Sequence, residues 1–190
     1  TMLSAESGYG DRFFYLLLDD TDIVTGRHLT KIPKAVEEVC QSLDYTPSAV
    51  MICITCVDAL LGTDMDRVCR KCSDRAGVPV VPCYMYALTR EKRLPPMASV
   101  RKSVYSLLKP CKRKSDEVNI LGYFSPLQED CELYSLLKSA GVKTIRELSR
   151  CDTFEEYEKM SQANFSLVLN AEARYAAQQM EQELKIPFIE

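Results

Sequence analysis

The chain has 190 residues, of which 46% are hydrophobic, and a formal net charge of −3 at pH 7. This length and apolar content suit one large domain or two small domains with buried cores, and the small net charge predicts no particular charged partner. No apolar run approaches the roughly 20 residues that cross a bilayer, so we expect no membrane partner.

In the first part of the chain, apolar runs alternate with helical periodicities. The run at 12–18 predicts a first core strand, and the polar residues 19–22 predict a break after it. Apolar residues then recur at helical spacing over 32–43. Thr30 is the candidate cap of this helix, and Pro33 suits its first turn.

A second strand and helix follow directly. The apolar run at 49–55 predicts the strand, and the helix is expected to start near residue 64 with a capping box formed by Thr63 and Asp66. Gly77 is its expected stop. A strand at 78–81 and a helix that closes near residue 108 complete this part.

The pattern restarts after the basic linker 109–116. Strands are predicted at 118–122, at 167–169 and from 186, and helices at 131–140, after a capping box of Thr153 and Glu156, and at 171–184. Strand–helix alternation with short links is typical of parallel sheets with right-handed crossovers. We therefore predict an α/β fold of two Rossmann-like units with parallel sheets flanked by helices, residues 1–112 and 113–190, the second incomplete at its C-terminus.

The nine cysteines point to a reducing compartment. Their number is odd, the chain is not short, and no secretory signal precedes the first predicted strand, so a disulfide framework is not expected. We expect a cytoplasmic protein whose thiols serve packing or metal binding. The ends of the chain, Thr1-Met2 and the strand-like residues 186–190, suggest a piece of a longer protein.

Cys56 occupies the most informative position. It follows the unbroken apolar run 49–54, which is typical of a strand buried on both faces, and a helical pattern begins directly after it. This places the cysteine at the carboxyl end of a parallel strand, where open α/β sheets bind ligands. The alternative is a small buried thiol, because free cysteine is among the most buried residue types.

The string TCVDALLGTD at 55–64 resembles a segment of the nitrogenase component 1-type oxidoreductase family, in which Thr-Cys after a core strand is followed by Gly-Asp-Asp. Further stretches resemble landmarks of the same family in the same order: 22–26, 77–82, 118–122, 141–143 and 185–188. The resemblance implies three Rossmann-like domains per subunit, of which this chain would hold part of the first and most of the second.

The same resemblance implies a cofactor and partners. Cys56 would ligate an iron–sulfur cluster, a 4Fe–4S type being the first choice, and because four ligands are usual the cluster is expected in the full-length protein and not in this fragment. The implied partners are a second nitrogenase-like subunit and an ATP-dependent iron protein that acts as reductase.

The sequence also departs from the family pattern. The Gly-Asp-Asp string reads Gly62-Thr63-Asp64, and the Gly-Pro-x-Gly-Cys segment that supplies another cluster cysteine is absent. The glycine-rich stretch expected after residue 82 is replaced by tyrosine, methionine and leucine at 84–88. The third domain, which carries active-site ligands, is missing, so no substrate is identified.

Other cysteines offer weaker candidates. Cys53, Cys56, Cys69 and Cys72 have the C-x2-C-x12-C-x2-C spacing of a structural zinc site. However, Cys53 lies inside an apolar strand, and Cys69 and Cys72 continue an apolar helix face, so core packing is expected for these three. Cys83 follows the strand 78–82 and is a secondary candidate for cofactor binding.

Two further features carry less information. The segment 89–114 holds nine basic side chains and one acidic side chain, which suits either a docking surface for an anionic partner or a solvated helix and linker. Its neighbouring tyrosines are too sparse for single-strand stacking, so nucleic acid is not an expected partner. His28 is the only histidine and is expected on a surface loop; a catalytic set that needs two histidines is excluded.

The leading functional hypothesis is a fragment of a nitrogenase component 1-like oxidoreductase, which transfers electrons from an iron-protein partner through an iron–sulfur cluster to an unidentified substrate. The fragment alone is expected to be inactive. The alternative is a non-catalytic metallocofactor scaffold, or a binding or sensory domain on the same fold, because fold does not fix function.

Overall fold

The computed structural model describes residues 8–54, 56–85 and 94–190. Its first elements are α1 (Asp20–Val24), α2 (His28–Ser42), β1 (Val50–Ile54), α3 (Cys56–Leu61), α4 (Met65–Ala76) and β2 (Val80–Tyr84). The later elements are α5 (Pro96–Tyr105), β3 (Glu117–Leu121), α6 (Glu132–Ser139), β4 (Thr144–Glu147), α7 (Phe154–Glu158), β5 (Phe165–Val168), α8 (Arg174–Leu184) and β6 (Phe188–Ile189). No helix in these ranges is both long and apolar enough to cross a bilayer.

Contacts divide the chain into two compact units. The first comprises the described residues up to Ile52 together with Gly62–Pro82, and the second comprises Cys53–Leu61 together with Cys83–Glu190. Strands β1 and β2 pair with each other in a two-stranded sheet. The boundary between 112 and 113 stays a prediction about which pieces fold independently.

Packing in the first unit depends on helices α2 and α4, which lie against each other. Helix α4 buries Met65, Val68, Cys69 and Cys72, which share one face because they are spaced three or four residues apart. The predicted stop is confirmed: Gly77 has a φ of 70°, and its N–H donates to Ser73 O at 2.9 Å. The predicted capping box is wrong, because Asp64 is the N-cap and accepts from Arg67 N at 3.0 Å.

The segment before α2 is more ordered than its polar sequence predicts. Asp19 and Asp22 form a capping box that starts the short helix α1, so the predicted break at 19–22 is a helix start. Helix α2 begins at His28, before the predicted cap Thr30, and Pro33 lies inside it.

The surface position predicted for His28 is wrong. The residue is only 4% exposed, and its Nδ1 lies 3.2 Å from Asp22 O. Gly26, with a φ of 71°, makes the tight turn between α1 and α2 that turns the imidazole back onto α1. Its polar neighbours in the sequence gave no sign of this turn.

The predicted strand at 12–18 does not form. After a single 3₁₀ turn at Gly10–Arg12 the backbone runs on without ladder hydrogen bonds to any described residue, and residues 12–17 are exposed, Leu17 to 87%. An apolar run becomes a buried strand only where neighbouring strands pair with its backbone and cover its faces. None of the described residues does so here.

The second unit holds a four-stranded parallel sheet in the order β4–β3–β5–β6. Val118 of β3 lies opposite Ile145 of β4 and Phe165 of β5, and β3 is buried at all five positions. Helices α5 and α8 pack together, and a core that includes Leu121, Met160 and Met180 contains residues of β3, β5 and α8. The predicted α/β fold with parallel sheets flanked by helices is confirmed.

Candidate functional site at the strand ends

Cys56 lies where the sequence places it. It is the first residue of α3, two positions after Ile54 ends β1, and its residue surface is exposed. The alternative of a buried thiol at this position is therefore wrong. The structure gives Cys56 the accessibility that a ligand needs, while its role as a ligand stays a prediction.

Cys53 and Cys83 lie on neighbouring strands and interact. Cys53 is the fourth residue of β1 and Cys83 the fourth residue of β2, and their thiols share a side-chain hydrogen bond. This bond lowers the pKa of Cys53, whereas the same bond together with burial raises the pKa of Cys83. The core position predicted for Cys53 is wrong, because this residue is exposed and Cys83, 3% exposed, is the buried member of the pair.

Cys69 and Cys72 pack in the core of the first unit, as predicted. Both are buried on α4, and burial raises the pKa of each thiol, that of Cys69 to about 12. Thiols held in the protonated form in an apolar environment are poor metal ligands. No group of three or more histidine, cysteine, aspartate or glutamate side chains within the described ranges could hold a metal ion.

A polar cluster that the sequence analysis missed lies at the carboxyl edge of the four-stranded sheet. Arg101 of α5 is buried, and its Nε and Nη2 donate to Gly122 O at 3.1 and 2.8 Å. Its Nη1 donates to Glu172 at 2.9 Å, and the guanidinium stacks on the ring of Phe124 at 4.6 Å. Arg101 thereby fixes the loop that follows β3.

A sequence signal for this cluster exists. Arg101 shares one helix face with Ala98 and Tyr105, which are three residues before it and four residues after it, and both are buried. The sequence analysis grouped Arg101 with the other cations of the basic segment 89–114 and did not consider its position on the helix face. The position of an arginine between two apolar residues of one helix face predicts its burial better than the net charge of the surrounding segment does.

The remaining basic segment is partly used inside the protein. Arg113 donates to Lys185 O at 2.7 Å and to Asn164, and Lys114 pairs with Glu117 at 2.8 Å. These contacts support neither a free docking surface nor a fully solvated linker at these two residues. The basic residues Arg90, Lys92 and Arg93, and residues 86–88 of the replaced stretch, lie outside the described residues.

An iron–sulfur cluster usually needs four protein ligands, most often thiolates. Among the candidates described above, Cys56 supplies one exposed thiol at a strand end. Cys69 and Cys72 are buried in a helix face, and the thiols of Cys53 and Cys83 are hydrogen-bonded to each other. These five cysteines can therefore provide one ligand to a cluster, but not a complete set of four. A cluster held by this chain therefore requires ligands besides these five.

Comparison with known proteins gives a consistent result. The family model described as nitrogenase component 1 type oxidoreductase matches residues 2–190. The nitrogenase iron-molybdenum cofactor biosynthesis protein NifE of Rhizobium meliloti is 34% identical over 125 residues, covering 64% of this chain and 26% of that protein. NifE of Nostoc sp. is 27% identical over 177 residues, covering 91% of this chain and 36% of that protein.

The solved structures agree in fold. A chain of the structure described as nitrogenase Cp1 at pH 6.5 superimposes with a TM-score of 0.64 at 23% identity, covering 90% of this chain and 34% of that chain. The chain thus spans about a third of the length of the proteins it matches. Because the family model covers nearly every residue, the chain belongs to the nitrogenase component 1-type oxidoreductase family.

Proposed function

We propose that this protein is a metallocofactor-assembly scaffold of the nitrogenase component 1 type, in which Cys56 ligates an iron–sulfur cluster. The observation that carries the proposal is the exposed thiol of Cys56 at the carboxyl end of β1, in a chain similar to proteins named for iron-molybdenum cofactor biosynthesis. The scaffold alternative of the sequence analysis is therefore preferred here over the leading reductase hypothesis.

The accessibility of the thiols favours Cys56 over Cys53 and Cys83 as a metal ligand. Metal ligation needs an accessible cysteine sulfur, and Cys56 is exposed. Cys83, the secondary candidate, is buried and its thiol is hydrogen-bonded to that of Cys53, so Cys56 is the ligand we retain. The bound cluster would supply iron and sulfide chemistry, and this chain would contribute one thiolate and its position.

The other ligands of the cluster must come from residues besides the five candidate cysteines. We propose that a second subunit of the same family either supplies these ligands or lies next to the cluster. The four-ligand requirement supports this assembly, since the five cysteines weighed above offer one ligand position. The proposed scaffold is therefore an assembly of this protein with the second subunit.

Electron transfer to a substrate is the second candidate, favoured by the oxidoreductase description of the matched family. In that case an ATP-dependent iron protein would be the electron donor. The two candidates differ in the fate of the metal: a scaffold releases its cofactor to an acceptor protein, whereas a reductase keeps it through many turnovers.

The test is anaerobic reconstitution of the full-length protein with its partner subunit, with iron and sulfide counted per chain. We expect Cys56→Ser to lose the cluster while its circular dichroism spectrum is unchanged. The matched control is Cys111→Ser, another exposed cysteine, which should keep full iron content. Full iron content in Cys56→Ser would show that the ligand assignment is wrong.

A second measurement separates the two functions. The loaded wild-type protein is mixed with a cofactor-free acceptor of the same family, and in parallel with iron protein and ATP. Transfer of metal to the acceptor without sustained consumption of reductant supports the scaffold. Sustained substrate reduction with the metal retained would support the reductase and overturn the scaffold.

A further inference from the structure

We infer that Cys53 and Cys83 form a redox-active dithiol, which a low-molecular-weight disulfide of the glutathione class oxidises to an intramolecular disulfide. The inference concerns two cysteines that the proposed cluster does not use. It stands whether or not Cys56 is a ligand.

The geometry of the two strands carries this inference. Strands β1 and β2 are partners in one sheet, and Val50 N–H at the start of β1 donates to Pro79 O, just before β2, at 2.8 Å. Cys53 and Cys83 are each three residues beyond the first residue of their strands. Paired strands lie about 4.8 Å apart, within the ~7 Å Cα separation that a disulfide tolerates.

The electrostatics of the two thiols agree with this geometry. Cys53 and Cys83 interact closely enough to shift each other's pKa, that of Cys53 downward and that of Cys83 upward. This interaction joins two positions that are 30 residues apart in the chain.

Unequal exposure assigns the two thiols different roles. Cys53 is exposed and can react with a disulfide in solution, whereas Cys83 is buried and cannot. This arrangement, with an accessible attacking thiol and a shielded resolving thiol, is common to redox-sensing cysteine pairs. Cys111 is also exposed but lies outside this pair, which makes it the natural comparison.

The reaction balances in two exchange steps. The Cys53 thiolate attacks one sulfur of the external disulfide; a protein–glutathione mixed disulfide forms and one glutathione thiolate leaves. Cys83 then loses its proton, its thiolate attacks the Cys53 sulfur, and the second glutathione leaves as a thiolate. The two protons lost by Cys53 and Cys83 are taken up by the two glutathione thiolates. Cys53 and Cys83 are oxidised by two electrons, and one glutathione disulfide is reduced to two thiols.

The test exposes the purified full chain to glutathione disulfide at a series of ratios to glutathione, followed by acid quenching, intact mass and peptide mapping. We expect the wild-type chain to lose the mass of two hydrogen atoms, with one linked peptide pair that joins Cys53 to Cys83. Dithiothreitol should reverse the change. Cys111 should carry at most a mixed disulfide.

Two variants and a control keep the result decisive. Cys83→Ala should trap glutathione on Cys53, and Cys53→Ser should leave Cys83 unmodified, because Cys83 is buried. If Cys83→Ala does not fold, the wild-type peptide map alone decides the outcome. The inference is overturned if Cys53 accumulates glutathione without linkage to Cys83 at every ratio, or if the linked pair joins Cys53 to Cys56.

Discussion

Strands β1 and β3 are both short strands with a majority of apolar residues, but they have opposite environments. β3 lies between β4 and β5 and is buried at all five positions. β1 pairs with β2 alone in the sheet that the structure describes, and it exposes Met51 to 37% and also Cys53. An apolar run therefore predicts that a strand forms, but the number of neighbouring strands and covering helices determines how much of it is buried.

The chemistry of the two strands follows from this difference. On β3 the polar side chain of Asn119 is fully buried and donates to Met160 O at 2.9 Å, which fixes the position of the segment that follows α7. On β1 the corresponding exposure leaves a thiol, that of Cys53, able to react. Burial on β3 leaves its side chains to packing and internal hydrogen bonds, whereas β1 keeps an accessible thiol.

The comparison is tested most strongly by truncating one side chain on each strand. Leu121→Ala on the fully buried end of β3 should lower the free energy of unfolding by ~2–5 kcal/mol, because it removes buried methyl groups and leaves a cavity. Met51→Ala on β1 should cost about 0.5 kcal/mol or less, as is usual for exposed positions. Urea titration followed by circular dichroism measures both.

Equal losses in these two variants would contradict the contrast between the strands. A large loss for Met51→Ala alone would show that β1 is covered in solution. The slope of the urea transition should stay unchanged in both variants if each alters only stability.

The cysteines allow the same contrast at a smaller scale. Cys72→Ser places a hydroxyl on the packed face of α4 and should cost ~1–3 kcal/mol of unfolding free energy. Cys56→Ser, at an exposed position, should be close to neutral. Thermal unfolding of the two variants beside the wild-type chain measures the difference, and a neutral Cys72→Ser would mean that the α4 face is not tightly packed.

These positions also show how far the sequence can be read. Helical spacing correctly predicted that Cys69 and Cys72 are buried, because their partners on the same face are neighbours in the chain. The environment of Cys53 could not be predicted in this way, since it depends on Cys83 and on the strand pairing that brings the two together. Local periodicity carries the first kind of information and lacks the second.

The same limit explains the remaining errors. The run at 12–18 has the composition of a core strand, but its burial depends on partners that no local pattern encodes. His28 is buried because Gly26 turns the chain back onto α1, and Arg101 is buried because Gly122 O and Glu172 lie against it. In each case a contact between distant or folded-back segments overrides the local composition.

The loop after β3 provides a further test of close packing. A Cβ atom on Gly122 would lie 3.2 Å from the backbone N of Asn170, which cannot move without shifting the turn after β5. Gly122→Ala should therefore cost ~1–3 kcal/mol through overpacking. Tyr123→Ala, at the exposed neighbouring residue, is the control and should cost less; unchanged stability of Gly122→Ala by urea titration would show that this edge is loosely packed.

The smallest expected effect concerns the acid stability of the first unit. The hydrogen bond from Lys31, followed by those from the backbone and by the charge of Arg27, holds the pKa of Asp22 below its usual 3.8. A carboxyl group with a lowered pKa stabilises the folded state above its unfolded pKa, and this stabilisation is lost as the pH falls through the folded pKa. The unfolding free energy of the wild-type chain should therefore decrease below a pH of about 4.

Asp22→Asn should remove this contribution. The variant should be less stable than the wild-type chain at pH 7, because Lys31 and Arg27 lose their charged partner, and the two should converge as the pH falls. Asp44→Asn, which alters an exposed carboxylate of the same unit, is the control and should follow the wild-type curve. Urea titrations from pH 7 to pH 3 measure this, and parallel curves for Asp22→Asn and the wild-type chain would show that the ion pairs of Asp22 do not stabilise the fold.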